Sequence, residues 1–265
     1  MNNITLEIIK GDIKNINLEV FFQYDLESLQ TMEEFIKHPC APFWIYWFCN
    51  YNDRRWEELE NIILTSPEFS FYYAYDIIKG RWEEAEDIIL TDPQYAFMYA
   101  ANILKERWIK AEPIILSSLN STYYYIEDVI KERWKEAEEI ILTDPEYAYN
   151  YAINIIKGRW EEAEEVILTS SMYAYLYARD LIKGQWKEAE EVILTDPEYT
   201  YYYSVYILKG RWKEAEPIIL TSAMYSYYYA SNIIKNRWEE AESIITSHSY
   251  WNQGYQNFIR ELNHD

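Results

Sequence analysis

The chain is poor in the residues that staple, bend or activate small folds. Only Cys40 and Cys49 are cysteines among 265 residues, so no disulfide framework holds it, and a reducing cytosol is the expected compartment. Glycine occurs six times and never as a phosphate-cradling loop. Of the three histidines, His38 lies near Cys40 and Cys49, but the three have no paired-cysteine spacing and do not read as a metal site. His248 and His264 stand alone. No nucleophile, base and orienting group assemble from this inventory, so a non-enzymatic chain is expected, with no metal and no cofactor. The longest uninterrupted apolar stretch is FWIYWF, Phe43 to Phe48, far short of the ~20 residues that span a bilayer. The start MNNITLEIIK lacks a basic region followed by a long apolar run. A soluble, unsecreted, cytoplasmic protein without a membrane partner is the expectation. Basic charge is also scarce: 24 basic residues against 45 acidic give a formal charge of −21. That disfavours direct nucleic-acid binding, which rests on a basic footprint, and leaves two uses for the acidity, solubility of an aromatic-rich surface or attraction to a basic partner.

What the chain has in abundance is one phrase. Tryptophan falls at Trp56, Trp82, Trp108, Trp134, Trp160, Trp186, Trp212 and Trp238, each 26 residues after the last. Ungapped spacing of this kind means an array of stacked units, because a unit so short cannot bury its own apolar face. Asp92-Pro93, Asp144-Pro145 and Asp196-Pro197 each read as an N-cap with proline in the first helical position. Gly80, Gly158, Gly184 and Gly210, each after a lysine, read as the stop of that helix. The next tryptophan then opens a first helix whose early acidic residues, such as Glu83 and Glu84, suit the helix dipole. Pro113 and Pro217 fall early enough in that helix to be tolerated. The spacing therefore predicts an all-α fold, an α-solenoid of stacked antiparallel helix pairs over residues 55–245.

Projection at ~100° per residue separates the faces. In the first helix Trp82, Ala85, Ile88, Ile89 and Leu90 share an apolar arc, with Glu83, Glu84 and Asp87 outside it. Glu86 lies inside the arc, and glutamate recurs there in every copy, from Glu60 to Glu242. It is expected to accept hydrogen bonds from a neighbouring copy, from the arginine before tryptophan or from a tyrosine hydroxyl. In the second helix of the fourth copy Tyr147, Ala148, Tyr149, Tyr151, Ala152, Ile155 and Ile156 project inward, and Glu146, Asn150, Ile153 and Lys157 outward. Two outward columns vary along the array. One runs Tyr72, Met98, Tyr124, Asn150, Leu176, Tyr202, Tyr228 and the other Tyr75, Ala101, Glu127, Ile153, Arg179, Val205, Ser231. The lysine column, Lys79 to Lys235, does not vary. A changing stripe of tyrosine and aliphatic side chains on a constant scaffold has the character of a partner-binding surface. Tyr73 and its counterparts read as core. Asp76, Asn102, Asp128, Asn154, Asp180 and Asn232 read as their partners or as bonds to the next copy.

The ends depart from the phrase. Residues 1–54 read as an N-terminal cap holding a degenerate copy, with Phe43, Trp44 and Tyr46 near the tyrosine columns. Within it ITLEIIKGDIKNINLEVFF is ambiguous between helix and hairpin. Residues 246–265 read as a C-terminal cap helix.

The phrase, as in GRWEEAEEVILTSSMYAYLYARDLIKG from Gly158 to Gly184, resembles the Arg-Trp-x-Glu-x-Glu repeats of uncharacterised proteins of bacteriophages and other DNA viruses. The resemblance covers about Arg55 to Ile245. It implies a viral origin and a host bacterial cytoplasm as the workplace, and it carries no catalytic or binding residue. The leading expectation is a non-enzymatic solenoid that binds a host or viral protein, a phage product that sequesters or inhibits a host defence factor. Three others stand beside it. The first is an acidic DNA mimic, limited because a helix pair advances roughly 10 Å while duplex DNA carries a charge every ~1.7 Å. The second is recognition of single-stranded RNA on stacking tyrosines, and the third a virion or scaffolding component.

Overall fold

The computed structural model describes Lys10 and residues 29–262. Apart from Lys10, the segment read as helix or hairpin lies outside the described residues, as do half of the N-terminal cap and His264. The fold is an all-α helical repeat, and no strand occurs among the described residues. The chain divides into two compact units, Met1–Ala137 and Glu138–Asp265.

Each copy opens with a very short first helix. Glu83–Ala85 is a 3-10 turn and Glu86–Ile89 one α turn, and the Pro113 and Pro217 copies use the same two steps with proline near the start of the α turn. Trp82, Ala85 and Ile89 are buried, Glu83, Glu84 and Asp87 exposed, as the projection requires. The second helix starts under a side-chain cap. Asp92 accepts from the N–H groups of Gln94 and Tyr95 and Asp144 from those of Glu146 and Tyr147, while Ser66, Ser118, Ser170 and Ser222 do the same where aspartate is absent. Such caps supply acceptors for orphan donors at the helix start.

The second helices do not finish as α-helices. From Tyr73, Ala100, Ile126, Ala152, Ala178, Tyr203 and Ala230 onward they widen into a π-helical turn. Lys105 N–H reaches the Ala100 carbonyl at 2.7 Å and Lys131 N–H that of Ile126 at 2.6 Å, both five residues back. Each turn closes on lysine in the left-handed region, φ 53 to 59° at Lys79, Lys105, Lys131, Lys157, Lys183, Lys209 and Lys235, and no glycine among the described residues has positive φ. This corrects the glycine stop: the lysine carries the left-handed residue, and the glycine after it only donates its N–H six residues back, Gly158 to Ala152 at 3.2 Å.

In the first unit the second helices Ala41–Tyr51, Pro67–Tyr72, Pro93–Tyr99 and Leu119–Tyr125 pack in succession, as do Pro145–Tyr151, Ser171–Tyr177, Pro197–Tyr202, Ala223–Tyr229 and Ser249–Leu262 in the second. Within a unit each first helix sits between the second helix of the copy before and its own, as Glu86–Ile89 does between Pro67–Tyr72 and Pro93–Tyr99. The small residues Ala96, Ala148 and Ala174 are fully buried. Where Ser or Thr replaces them the hydroxyl donates to the first helix, as Thr122 Oγ1 does to the Ile115 carbonyl at 2.9 Å. Each buried large apolar side chain contributes about 1.5–3 kcal/mol, and the same tryptophan, isoleucine and tyrosine supply it in every copy.

Both ends of the described chain are further copies. Ala41–Tyr51 is a second helix that stays α throughout, and Asp53, at φ 45°, takes the place of the lysine. Without the π turn it is one residue shorter, so Tyr46 and Phe48 do the work that a register of 26 assigns to residues 45 and 47. At the other end Ser249–Leu262 supplies Tyr255, whose hydroxyl accepts the Trp238 N–H at 3.0 Å. The helix read as a cap is thus the second helix of the last copy.

Candidate partner-binding face

Two polar ladders fix the helices that present this face. In the first, core tyrosines of the second helices accept the backbone N–H of their own copy's tryptophan: Trp82 to Tyr99 at 2.7 Å, Trp160 to Tyr177 at 2.6 Å, Trp186 to Tyr203 at 2.7 Å. Arginine before the tryptophan clamps the recurring glutamate, Arg81 Nε to Glu86 at 2.7 Å and Arg159 to Glu164 at 2.5 and 3.0 Å. The expected arginine partner is right and its origin wrong: the bond is made within the copy, five residues apart, and not from a neighbour. In the Trp186 copy glutamine substitutes, Gln185 Nε2 to Glu190 at 2.5 Å.

The second ladder links copies. Tyr46 hydroxyl donates to Asp76 at 2.6 Å, Tyr149 to Asp180 at 2.7 Å, and Asn232 donates to the Tyr201 hydroxyl at 2.7 Å. Asp76, Asp180 and Asn232 thus bond a tyrosine of the preceding copy and not the core tyrosine beside it, whereas Asn102, with Phe71 in that tyrosine's place, donates to the Met98 carbonyl of its own helix at 2.9 Å. Burial, reinforced by the neighbouring carboxylate, pushes the Tyr46 and Tyr149 hydroxyls well above the usual tyrosine range. The hydrogen-bonded Arg179 guanidinium holds Asp180 below the ordinary carboxylate range.

On this frame lies a series of interlocked rings. In the first unit Tyr46 packs on Phe69 and Tyr72, with centroids 5.9 and 5.8 Å apart. In the second unit Tyr175 packs on Tyr199 and Tyr202 at 6.1 and 5.9 Å, and Tyr201 on Tyr225 and Tyr228 at 5.7 and 6.0 Å. The inner ring of one helix thus seats two rings of the next.

None of the twelve residues read as partner-binding is buried. Tyr75, Tyr124 and Arg179 are exposed, while Tyr72, Met98, Glu127, Asn150, Ile153, Leu176, Tyr202, Val205 and Tyr228 are half-buried. The π turn is the reason the second column falls short. Its wider winding turns each residue through less than the ~100° of an α-helix. Asn154 therefore emerges where Ile153 was projected, and Asn102, Asp128, Tyr206 and Asn232 emerge likewise. Leu176, Arg179 and Tyr202 share one groove of about 380 Å³ with Tyr175, Tyr199 and Tyr206, while Tyr72 lines another with Phe43, Trp47 and Phe69. Tyr206, 57% exposed, escapes the column reading, although it stands where every other full copy carries Asp or Asn and that gap is visible in the sequence.

A different face belongs to the first helices. Glu83, Glu84 and Asp87, and in the second unit Glu161, Glu162 and Glu165, are exposed. The charge there is partly neutralised, since Lys110 Nζ of the next copy meets Asp87 at 2.8 Å.

The candidate metal residues are otherwise engaged: His38 Nδ1 accepts the Cys40 N–H at 3.1 Å and its ring stacks on Trp44 at 4.6 Å. Burial pushes the Cys49 thiol up to about 11, so it is neither a ready ligand nor a nucleophile at neutral pH.

No protein-family model matches the chain, and no curated protein or solved structure matches it significantly.

Proposed function

We propose that the chain is a non-enzymatic helical-repeat protein that binds another protein through the ring face of its second helices. The observation that carries this reading is the division of labour within the repeat. Tryptophan, core tyrosine, arginine and glutamate hold each copy together and recur, while the half-exposed rings and their neighbours change from copy to copy. Rigid tyrosines on a fixed frame supply contact area at low entropic cost. The sequence resemblance to viral repeats supports a partner from an infected bacterium, with the chain acting as a phage product that sequesters or inhibits a host defence factor.

The test is affinity capture from bacterial lysate with the wild type and with Tyr75→Ala, Tyr124→Ala and Tyr206→Asn combined, all on the ring face and exposed. Tyr202 and Tyr228 are left intact because they are half-buried among the rings of the neighbouring helix. Loss of the bound protein at unchanged melting supports the reading, and undiminished capture contradicts it.

A second reading, an acidic DNA mimic, is favoured by the exposed carboxylates of the first helices. Under it, replacing Glu83, Glu84, Asp87, Glu161, Glu162 and Glu165 by glutamine or asparagine abolishes capture, and capture by the wild type weakens steeply with salt.

A further inference from the structure

We infer that the groove between Arg179 and Tyr206 takes a proline-rich segment of a partner protein in polyproline II conformation, a deepening that rests on the protein-binding role proposed above. In a repeat array the residues the stack requires are printed in each copy, so a column that varies, or a single break in a constant one, marks what the stack does not need. Arg179 stands where other copies carry Tyr75, Ala101, Glu127, Ile153, Val205 or Ser231, and Tyr206 stands in the Asp/Asn column. Arg179, from the varying column, and Tyr206, from the broken one, belong to adjacent copies and line the same groove.

The groove offers rings and donors without net charge. The Arg179 guanidinium lies over the Tyr175 ring at 5.4 Å. Its Nε and Nη2 each donate to one oxygen of Asp180 at 2.7 Å, and Asp180 also accepts from Tyr149. The pair is neutral, and the guanidinium keeps further N–H groups that can only donate. Tyr199, Tyr202 and Tyr206 complete the lining. The complementary ligand is uncharged, has apolar faces to lay on rings, and presents acceptors. A polyproline II strand fits this description, because proline has no N–H and the helix makes no internal hydrogen bonds, leaving every carbonyl outward. A polyanionic strand does not fit, since Arg179, the one charged side chain of the lining, is already paired with Asp180 and the chain carries −21.

Spacing supports the same occupant. The ring arrangement of Tyr175 with Tyr199 and Tyr202 recurs one copy on as Tyr201 with Tyr225 and Tyr228, at interplanar angles of 32 and 33° against 36 and 35°. Packed helices are spaced roughly 8–10 Å, and a polyproline II turn of three residues advances about 9 Å. Prolines three apart therefore match the interval between successive ring sets.

The test titrates the full chain with a fluorescent blocked decaproline peptide, a Gly-Ser peptide of equal length and an oligouridine. The key variant is Arg179→Ile with Tyr206→Asn, which installs the residues the fourth copy carries at 153 and 154 and so respects the scaffold. Saturable binding of decaproline alone is expected, weakened at least tenfold in the double variant with an unchanged melting temperature. The inference is overturned if decaproline does not bind, if Gly-Ser binds equally, if oligouridine binds in preference, or if the double variant binds as well as the wild type. Should decaproline fail while lysate capture still depends on the exposed tyrosines, this inference falls and the protein-binding reading stands.

Discussion

At the residue scale, the side chains that recur do so because a buried backbone group or an awkward dihedral depends on them. Tyr177 is fully buried and its hydroxyl is the acceptor for the Trp160 N–H, so Tyr177→Phe strands a donor. The expected loss is about 1–3 kcal/mol, read by chemical denaturation, against a change within ~0.5 kcal/mol for Tyr206→Phe on the exposed face. Lys157 and Gly158 give a sharper contrast. The lysine holds φ 59°, while the glycine has no positive φ and nothing within 4 Å of the place an added methyl group would take. Gly158→Ala is therefore expected to cost under ~0.5 kcal/mol. Lys157→Gly is expected to gain up to ~1 kcal/mol at high salt, where relief of left-handed strain outweighs the screened attraction of lysine for the helix C-terminus. A large loss in Gly158→Ala would restore the glycine-stop reading. The sequence misleads here because lysine has no left-handed preference, and only its invariance across copies with and without the following glycine hints at its place.

At the scale of the element, legibility depended on whether a signal repeats in composition or in geometry. The Asp-Pro caps, the apolar arc of the first helix and the outward carboxylates were all readable, because capping and 3.6-residue periodicity act locally. The π turn was not, because no residue type marks the change from i→i+4 to i→i+5 bonding. Its one trace is the extra residue that the second helices have and Ala41–Tyr51 lacks. That hidden turn displaced the second variable column and concealed Tyr206. The arginine–glutamate clamp was legible in its partners and not in its range, since five residues at a 3-10 to α junction are closer than a regular helix allows. The caps should carry real weight, because the α part of each second helix is only about two turns long, as in Pro145–Tyr151. Asp144→Ala removes the acceptor for the Glu146 and Tyr147 N–H groups at 2.8 and 3.3 Å. A loss of about 1 kcal/mol is expected, and an unchanged denaturation midpoint would count against it.

For the whole molecule, the repeat predicts how stability responds to alkali. Twenty-eight tyrosines are present, and burial raises the core hydroxyls: Tyr177 and Tyr203 are pushed up to about 12, with Tyr99, Tyr125 and Tyr229 shifted the same way. An unfolded tyrosine releases its proton near ~10. The folded chain thus binds more protons than the unfolded one above that pH, and stability is full below ~10 and falls as pH rises toward 12. Tyrosinate absorbance should then appear together with loss of helical circular dichroism, in one cooperative step for the core tyrosines. Titration of all tyrosines near 10 with helicity intact would contradict the buried ladder. The all-α array itself was legible from the 26-residue tryptophan spacing, since side chains that complete a neighbour's core must recur at the interval of the unit. Which face meets a partner is less legible, because a binding stripe is defined by what varies.

The central claim is that the second helices meet the partner, and hydrogen–deuterium exchange of the chain alone and with its captured partner tests it most directly. Protection on binding is expected in the second-helix segments 171–182 and 197–208, with segments 161–167 and 187–193 of the first helices unchanged. Protection confined to the first helices would contradict the ring-face account and favour the acidic face.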